Sequence, residues 1–457
     1  MPVFSRPVLR HLPECLLAVF VLSLTTATVV GGALEDYLNL PDSHFSWKRL
    51  KQEKAQWGTL TRLVLVSQRW RDYRWHHRLM VARPSEVRNP GIALVLVTGD
   101  GDGGKHITRL ETLAQRASAV TAVITQIPNQ PLYGGRREDA LIAYTFDQFL
   151  KSGDETWPLL FPMVKSVVRA MDAVQALAHS EFKQAIARFV VVGASKRGWT
   201  TWLTAAVDPR VIAIAPMVID MLNIKQQLRW SEKVYGKQSD EIADYTTFHL
   251  DKKQDDPAVV KLRGWVDPYA YRARYTMPKL LLLGTNDPYW TVDSSRHYWD
   301  DLPGPKLIFQ TPNAGHDLRG GREATQTLAA FVQMVADGQE LPRMDWKFQD
   351  GADGSARARM CVDQPARAIR LWSATSADRD FRDDAWSSRE LGITPGSSCT
   401  AAKIPTPRTG YRAYLIEVEL TSPTGEVYKL STEAHVTPDN ITWRRPASQT
   451  SGMRLVR

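Results

Sequence analysis

Residues 187–206 read ARFVVVGASKRGWTTWLTAA, and the fold is decided there. An apolar run ends in Gly193-Ala194-Ser195, and a helical pattern over residues 199–206 follows almost at once. Strand, sharp turn and helix in that order lift a serine hydroxyl above the edge of a sheet, the setting of a nucleophile elbow. The helix N-terminus beneath it favours developing negative charge, and the N–H of Lys196 supplies half of an oxyanion hole. The usual elbow has glycine two places after the serine, whereas Arg197 holds that place here and Gly198 comes third. Small residues let strand and helix pack closely, so Arg197 is expected to swing outward, toward a substrate.

Outward from this stretch the same pattern repeats. The runs IALVLV (92–97), AVTAVITQI (119–127), VIAIAPMVI (211–219), KLLLLG (279–284) and KLIFQ (306–310) are continuous apolar strands of the kind that helices cover on both faces. Helical patterns lie between them, residues 161–178 and 323–336 among them. Two earlier segments, 60–70 and 74–82, read as a hairpin turning at Arg71-Asp72-Tyr73. The alternation predicts an α/β-hydrolase fold over residues 34–338, a mostly parallel doubly wound sheet with an antiparallel start. A polar and aromatic insertion at 221–276 falls at the strand ends, where a lid belongs. Beyond Gly338 the helical patterns stop, and short alternating segments such as 366–373 and 412–420 predict a C-terminal β-sandwich over 339–457.

Acyl-transfer chemistry at Ser195 needs a base and an acid. His316 follows the last strand in Pro312-Asn313-Ala314-Gly315-His316, and Asp287 follows the strand before it in Gly284-Thr285-Asn286-Asp287. The order Ser, Asp, His is that of the hydrolase triad, and the interval between Ser195 and Asp287 has room for the lid. Asp293 competes with Asp287 as the acid, but it precedes a helical stretch, SSRHYWDDL. Helix N-capping accounts for it, and asparagine there is expected to be harmless. The second oxyanion donor is expected in the glycine-rich loop 98–105, from the N–H of Asp100 or Gly101. That loop lacks the phosphate-binding pattern G-x-x-x-x-G-K-[ST], and His106 beside it reads as a surface residue. No H-E-x-x-H pair, cysteine–histidine cluster or full calcium loop is present, so no metal or cofactor is expected. The aromatic residues of 265–271 and Tyr289-Trp290 either line a substrate cleft or belong to the core.

With 43% hydrophobic and 23% charged residues and no low-complexity tract, the chain can bury a large core, which excludes a disordered protein. The net charge of +9 is spread among acids, and no nucleic-acid motif accompanies it, so nucleic acid is not an expected partner. Arg6, Arg10 and His11 precede an apolar run at 15–30 that closes on Val30-Gly31-Gly32-Ala33. This is the layout of a signal peptide, residues 1–33; the run is shorter than the roughly 20 apolar residues of a spanning helix. A periplasmic or secreted protein is expected, meeting the membrane only through its export signal. Cleavage removes Cys15 and leaves Cys361 and Cys399, either a disulfide or two buried thiols.

The block Gly193-Ala194-Ser195-Lys196-Arg197-Gly198-Trp199-Thr200-Thr201-Trp202-Leu203, followed by Asp208-Pro209-Arg210, closely resembles the PhoPQ-activated pathogenicity-related family of α/β-hydrolase-like proteins. WPLLFPM (157–163), DPYAY (267–271), YWDDLPG (298–304), PNAGH (312–316) and RDFR (379–382) resemble its motifs as well. The resemblance implies an exported protein of the bacterial envelope, sometimes tied to virulence or resistance to cationic peptides. It supplies no substrate. Pro288-Tyr289-Trp290 stands where members often carry an acidic and aromatic stretch. Two functions follow: hydrolysis of an ester or amide in a small-molecule or peptide substrate, or binding by a hydrolase fold that no longer turns over.

Overall fold

The apolar runs are buried on both faces of one sheet. The computed structural model describes residues 1, 32–392, 399–439 and 441; nearly all of the expected export signal, Cys15 included, lies outside the described residues. The strands are β1 (Ser46–Ala55), β2 (Gly58–Trp70), β3 (Tyr73–Pro84), β4 (Ile92–Val97), β5 (Val120–Ile124), β6 (Arg188–Ala194), β7 (Val211–Met217), β8 (Lys279–Gly284) and β9 (Lys306–Thr311). Their order is β1-β2-β3-β5-β4-β6-β7-β8-β9. The first three form an antiparallel meander joined antiparallel to β5, and every pairing from β5 to β9 is parallel. Strand periodicity shows why both faces need cover: Ala93, Val95 and Val97 enter one apolar core, Ile92, Leu94 and Leu96 the other.

Helices provide that cover. They are α1 (Ala33–Asn39), α2 (Ile107–Ala117), α3 (Glu138–Ser152), α4 (Leu160–Leu177), α5 (Lys196–Val207), α6 (Ile224–Tyr235), α7 (Ala243–Thr246), α8 (Pro257–Val266) and α9 (Arg322–Ala336). Residues of α1, α3, α4 and α5 join the first core, and those of α2 and α9 the second. Phe161 and Leu203 are fully buried, each stabilising the fold by about 1.5–3 kcal/mol. The mostly parallel sheet, with β4 and β5 exchanged in order and helices on both faces, is the α/β-hydrolase fold. Between β7 and β8 the insertion folds into α6, α7 and α8 with short 3₁₀ turns.

One local expectation differs from what is found, and one strand was not expected. The hairpin turn is Arg71-Asp72, with Trp70 paired to Tyr73 and Arg71 at φ 56°, so Tyr73 already belongs to β3. Strand β1 had no sequence signal, because SWKRLKQEKA places charge on both faces and stays largely exposed. Charged side chains suit a strand with one unpaired edge, since they discourage pairing with another chain.

The C-terminal part consists of β10 (Met344–Asp350), β11 (Ala356–Val362), β12 (Ala368–Ser376), β13 (Ser387–Glu390), β14 (Cys399–Ile404), β15 (Tyr411–Thr421), β16 (Val427–Ser431) and β17 (His435–Thr437). These make two antiparallel sheets, β10-β11-β14 and β13-β12-β15-β16, with β17 on β15. Alternate residues of both sheets share the second apolar core with α9. The docking is also polar: Gln310 donates its N–H to Ser431 Oγ at 3.0 Å and accepts one from Ala434 at 2.6 Å.

Cys361 and Cys399 are register partners across β11 and β14, and their sulfurs are bonded. Closing a loop of 38 positions stabilises the fold by about 4 kcal/mol in the chain-entropy model. Protein from an oxidising compartment should therefore show no free thiol at these positions on denaturation without reductant. Reduction should lower stability by about that amount.

Candidate functional site

Ser195 sits between β6 and α5 with φ 56° and ψ −128°, a conformation costly for a residue with a side chain. Its N–H donates to Met217 O at 2.8 Å. The turn closes because two flanking residues lack a Cβ: on Gly193 it would collide with Arg197 O, and on Gly198 it would stand 2.6 Å from Ile219 Cγ2. The glycine third after the serine thus permits the close approach expected of the second.

Arg197 does not swing outward. It is buried, with its guanidinium against the backbone of Gly99. Its Nε donates to Ile127 O at 2.5 Å, and its two Nη atoms donate to Glu138 at 2.6 and 2.7 Å. Burial pushes the Glu138 carboxyl up, but the Arg197 fork outweighs it and holds the pKa down at about 2. Lys196 Nζ lies 2.9 Å from Asp139 and 3.2 Å from Glu138. Asp139 also accepts from Tyr245 OH of α7 at 2.9 Å. Sequence reading missed this quartet, although two cations beside the serine already called for two anions.

Strands β8 and β9 deliver Asp287 and His316. The loop after β9 doubles back over the end of β8, where Asn286 N–H donates to Ala314 O at 2.9 Å. A Cβ on Gly284 would collide with that loop. His316 Nδ1 lies 2.8 Å from Asp287 Oδ2, and Asp287 Oδ1 accepts from Tyr289 N–H at 3.0 Å. Facing a carboxylate, Nδ1 takes the donor role and leaves Nε2 its lone pair. Nε2 is buried and has no hydrogen-bond partner among the described residues. Ser195 Oγ makes no hydrogen bond among the described residues either, so the acid and imidazole are together while the contact to serine is not closed.

Tyr289 is near the imidazole and shares a cavity with Ser195. Its ring centroid is 4.4 Å from that of His316, and it lines, with Ser195, a cavity of about 140 Å³. The walls come from α3, the start of α5, the insertion helices and the loop after β8, through Phe146, Trp199, Leu228, Leu262 and Trp290. The insertion therefore roofs the serine, and Tyr289 and Trp290 line the cavity.

Around the serine, backbone donors are available. Lys196 opens α5, so its N–H has no acceptor within the helix. Val97 of β4 pairs in register with Gly193, which brings the loop bearing Asp100 and Gly101 out beside the elbow. Both residues are exposed, and the Asp100 carboxylate is held by Arg137 at 2.5 Å and Gln130 at 3.0 Å. His106 is half-buried, and that burial pushes its pKa down to about 4. No group of three His, Cys, Asp or Glu is placed to hold a metal among the described residues, and none of their helices is long and apolar enough to cross a membrane.

Residues 34–382 match the model of the PhoPQ-activated pathogenicity-related protein family. The chain belongs to that family. Autocrine proliferation repressor protein A of Dictyostelium discoideum is 31% identical over 93% of this chain and 94% of its own. Acetyl xylan esterase 1 of a Thermoanaerobacterium species superposes with a TM-score of 0.45 at 18% identity, covering 65% of this chain and 93% of that one. The acetyl xylan esterase of Paenibacillus sp. R4 gives 0.44 at 16% identity, over 65% and 91%.

The family match reaches into the C-terminal sheets and takes in a buried ion pair. Asp293 is not a helix cap: its side chain makes no capping bond. It pairs instead with Arg379 at 3.0 Å and Arg296 at 3.1 Å, and accepts from Trp230 Nε1 of α6 at 3.1 Å. Burial pushes its carboxyl up, but Arg379 and Arg296 overcome that and hold it well below the usual range. Nearby, Asp220 is buried and accepts from Tyr298 OH at 2.5 Å. Burial pushes its pKa up to about 8, against that hydrogen bond and with help from the charge of Asp287.

Two measurements follow. Asp293→Asn should cost about 1.5–3 kcal/mol in denaturant unfolding, because buried Arg379 loses one charged partner and keeps only Asp439, at 3.2 Å; a loss within about 0.5 kcal/mol would restore the capping reading. Asp220 keeps in the folded chain a proton that the unfolded chain has released between pH 4 and 8. Wild type should therefore lose stability relative to Asp220→Asn as pH rises from about 4 to about 8.

Proposed function

We propose that this chain is an exported serine hydrolase. Ser195 attacks an ester or amide carbonyl, His316 Nε2 takes its proton and later returns it to the leaving group, and Asp287 holds the imidazole in the required tautomer. The N–H of Lys196, with that of Asp100 or Gly101, steadies the oxyanion. Water then hydrolyses the acyl-enzyme. The observation that carries this reading is the strained elbow: a serine at φ 56° persists only where the surroundings enforce it, and such strain gathers at reacting residues. The cavity of about 140 Å³ matches the space that admits one benzene ring. An acyl group of about six carbons fits it on that scale. Export is supported by the charged and apolar N-terminal pattern and by the bonded cysteines.

A binding role without turnover is the competing reading. The observation that favours it is the open contact between Ser195 and His316. Catalytic hydrogen bonds often tighten only around substrate, which weakens that objection. The Dictyostelium relative is named for repressing proliferation and not for a reaction.

The two readings part on a fluorophosphonate probe. Wild type should label at one site, and Ser195→Ala should not label at all. On p-nitrophenyl esters kcat should fall by about 10⁶ for Ser195→Ala and about 10⁴ for Asp287→Asn, with butyrate and hexanoate preferred over dodecanoate. Labelling that survives in Ser195→Ala, or a wild type inert to the probe, would leave the binding reading.

A further inference from the structure

Asp287 and His316 stand on two different loops, and neither loop is bonded to its own strand alone. Asn286, immediately before Asp287, donates through Nδ2 to the backbone oxygens of Phe381, Arg382 and Asp384 at 3.0, 3.1 and 2.8 Å. Asn313, three places before His316, brackets Trp386: its Nδ2 donates to Trp386 O at 2.9 Å and its Oδ1 accepts from Trp386 N–H at 2.7 Å. Thr285 Oγ1 closes the circuit by donating to Asn286 Oδ1 at 2.7 Å and accepting from Asn313 N–H at 3.0 Å. Residues 381–386 are thus tied to the acid loop and the base loop at once.

This segment belongs to the C-terminal sheets and is firmly seated. Phe381 and Trp386 are buried in a small core with Leu415 and Val436. Docking of those sheets does not depend on the two asparagines, since Gln310, Thr327 and the shared apolar core already provide it. Phe381 O also accepts from Asp384 N–H at 3.4 Å, but the other backbone groups the amides meet have no other hydrogen-bond partner among the described residues, and they lie beside the two side chains whose mutual geometry the reaction needs. We infer that Asn286 and Asn313 are positioning residues, and that segment 381–386 is a strap setting the distance and angle of the Asp287–His316 pair. The inference rests on the serine-hydrolase reading for its effect on rate. Its effect on the pair stands without it.

The test uses the full chain with Asn286→Ala and Asn313→Gly. Glycine at 313 accepts the φ of 56° without strain, so that variant removes only the bracket. Measurements are made well below each variant's melting midpoint. The low-field proton resonance of His316 Nδ1 reports the pair directly, and fluorophosphonate labelling with p-nitrophenyl butyrate turnover reports the reaction. The strap predicts a shifted or broadened resonance, kcat lower by about 10- to 100-fold as for a misplacement of about 1 Å, KM within about two-fold, and a displaced acid limb of the pH profile. A resonance, labelling rate and acid limb equal to wild type in Asn313→Gly would overturn the inference. So would a loss of activity that only tracks the unfolded fraction. A wild type inert to the probe whose Asn313→Gly resonance still shifts would refute the hydrolase and leave the strap standing.

Discussion

The whole upper edge of the sheet depends on how closely α5 can approach β6. That approach is steric: Gly193 and Gly198 let the backbone carbonyl of Arg197 and the side chain of Ile219 occupy space that any Cβ would need. Once the helix is seated, its first turn points N–H groups at the space above Ser195, and two cationic side chains emerge beside that serine and need anionic partners. The Arg197 fork then turns down under Gly99 and fixes Glu138, while Lys196 bridges to Asp139. A packing constraint in the elbow thereby sets the electrostatics of the loop above it and the entry to α3.

From there the constraint spreads into the insertion. Asp139 holds Tyr245, and the roof over the serine is further pinned by Tyr235 OH on Trp290 O at 3.1 Å and Ser239 Oγ on Pro288 O at 2.8 Å. These bonds land on the residues that immediately follow Asp287. Any rearrangement that widened the cavity would pull on the backbone of the acid loop. Trp230, with the guanidinium groups of Arg296 and Arg379 at 4.6 and 4.9 Å from its ring, ties the same roof to the C-terminal sheets.

The sequence made much of this legible because its strands are apolar and its elbow is a local motif. Strands β6 and β8 and helix α5 follow from short runs of residues, and the places of Asp287 and His316 follow from strand order. What escaped was non-local. Strand β1 carries no apolar face, so periodicity has nothing to detect. Arg197 was expected to face outward because the pattern at position 197 wants a small residue; only the fold shows that Glu138, far away in sequence, receives it. Asp293 resembled a helix cap because helix propensity is local, whereas Arg379, its partner, comes from a different layer. The asparagines at 286 and 313 were visible inside motifs, but an amide gives no hint of which backbone it will meet.

The strap also has a position in time. Ser195, Asp287 and His316 all precede residue 381, so during synthesis these three side chains leave the ribosome before the segment that Asn286 and Asn313 grip. That segment moreover lies inside the loop closed by Cys361 and Cys399. In a reducing compartment the loop is open and its chain entropy works against settling the strap; once the bond forms, the same residues have far less freedom to lose. The arrangement makes the grip on Asn286 and Asn313 a late event in folding and ties it to whether the Cys361–Cys399 bond has formed.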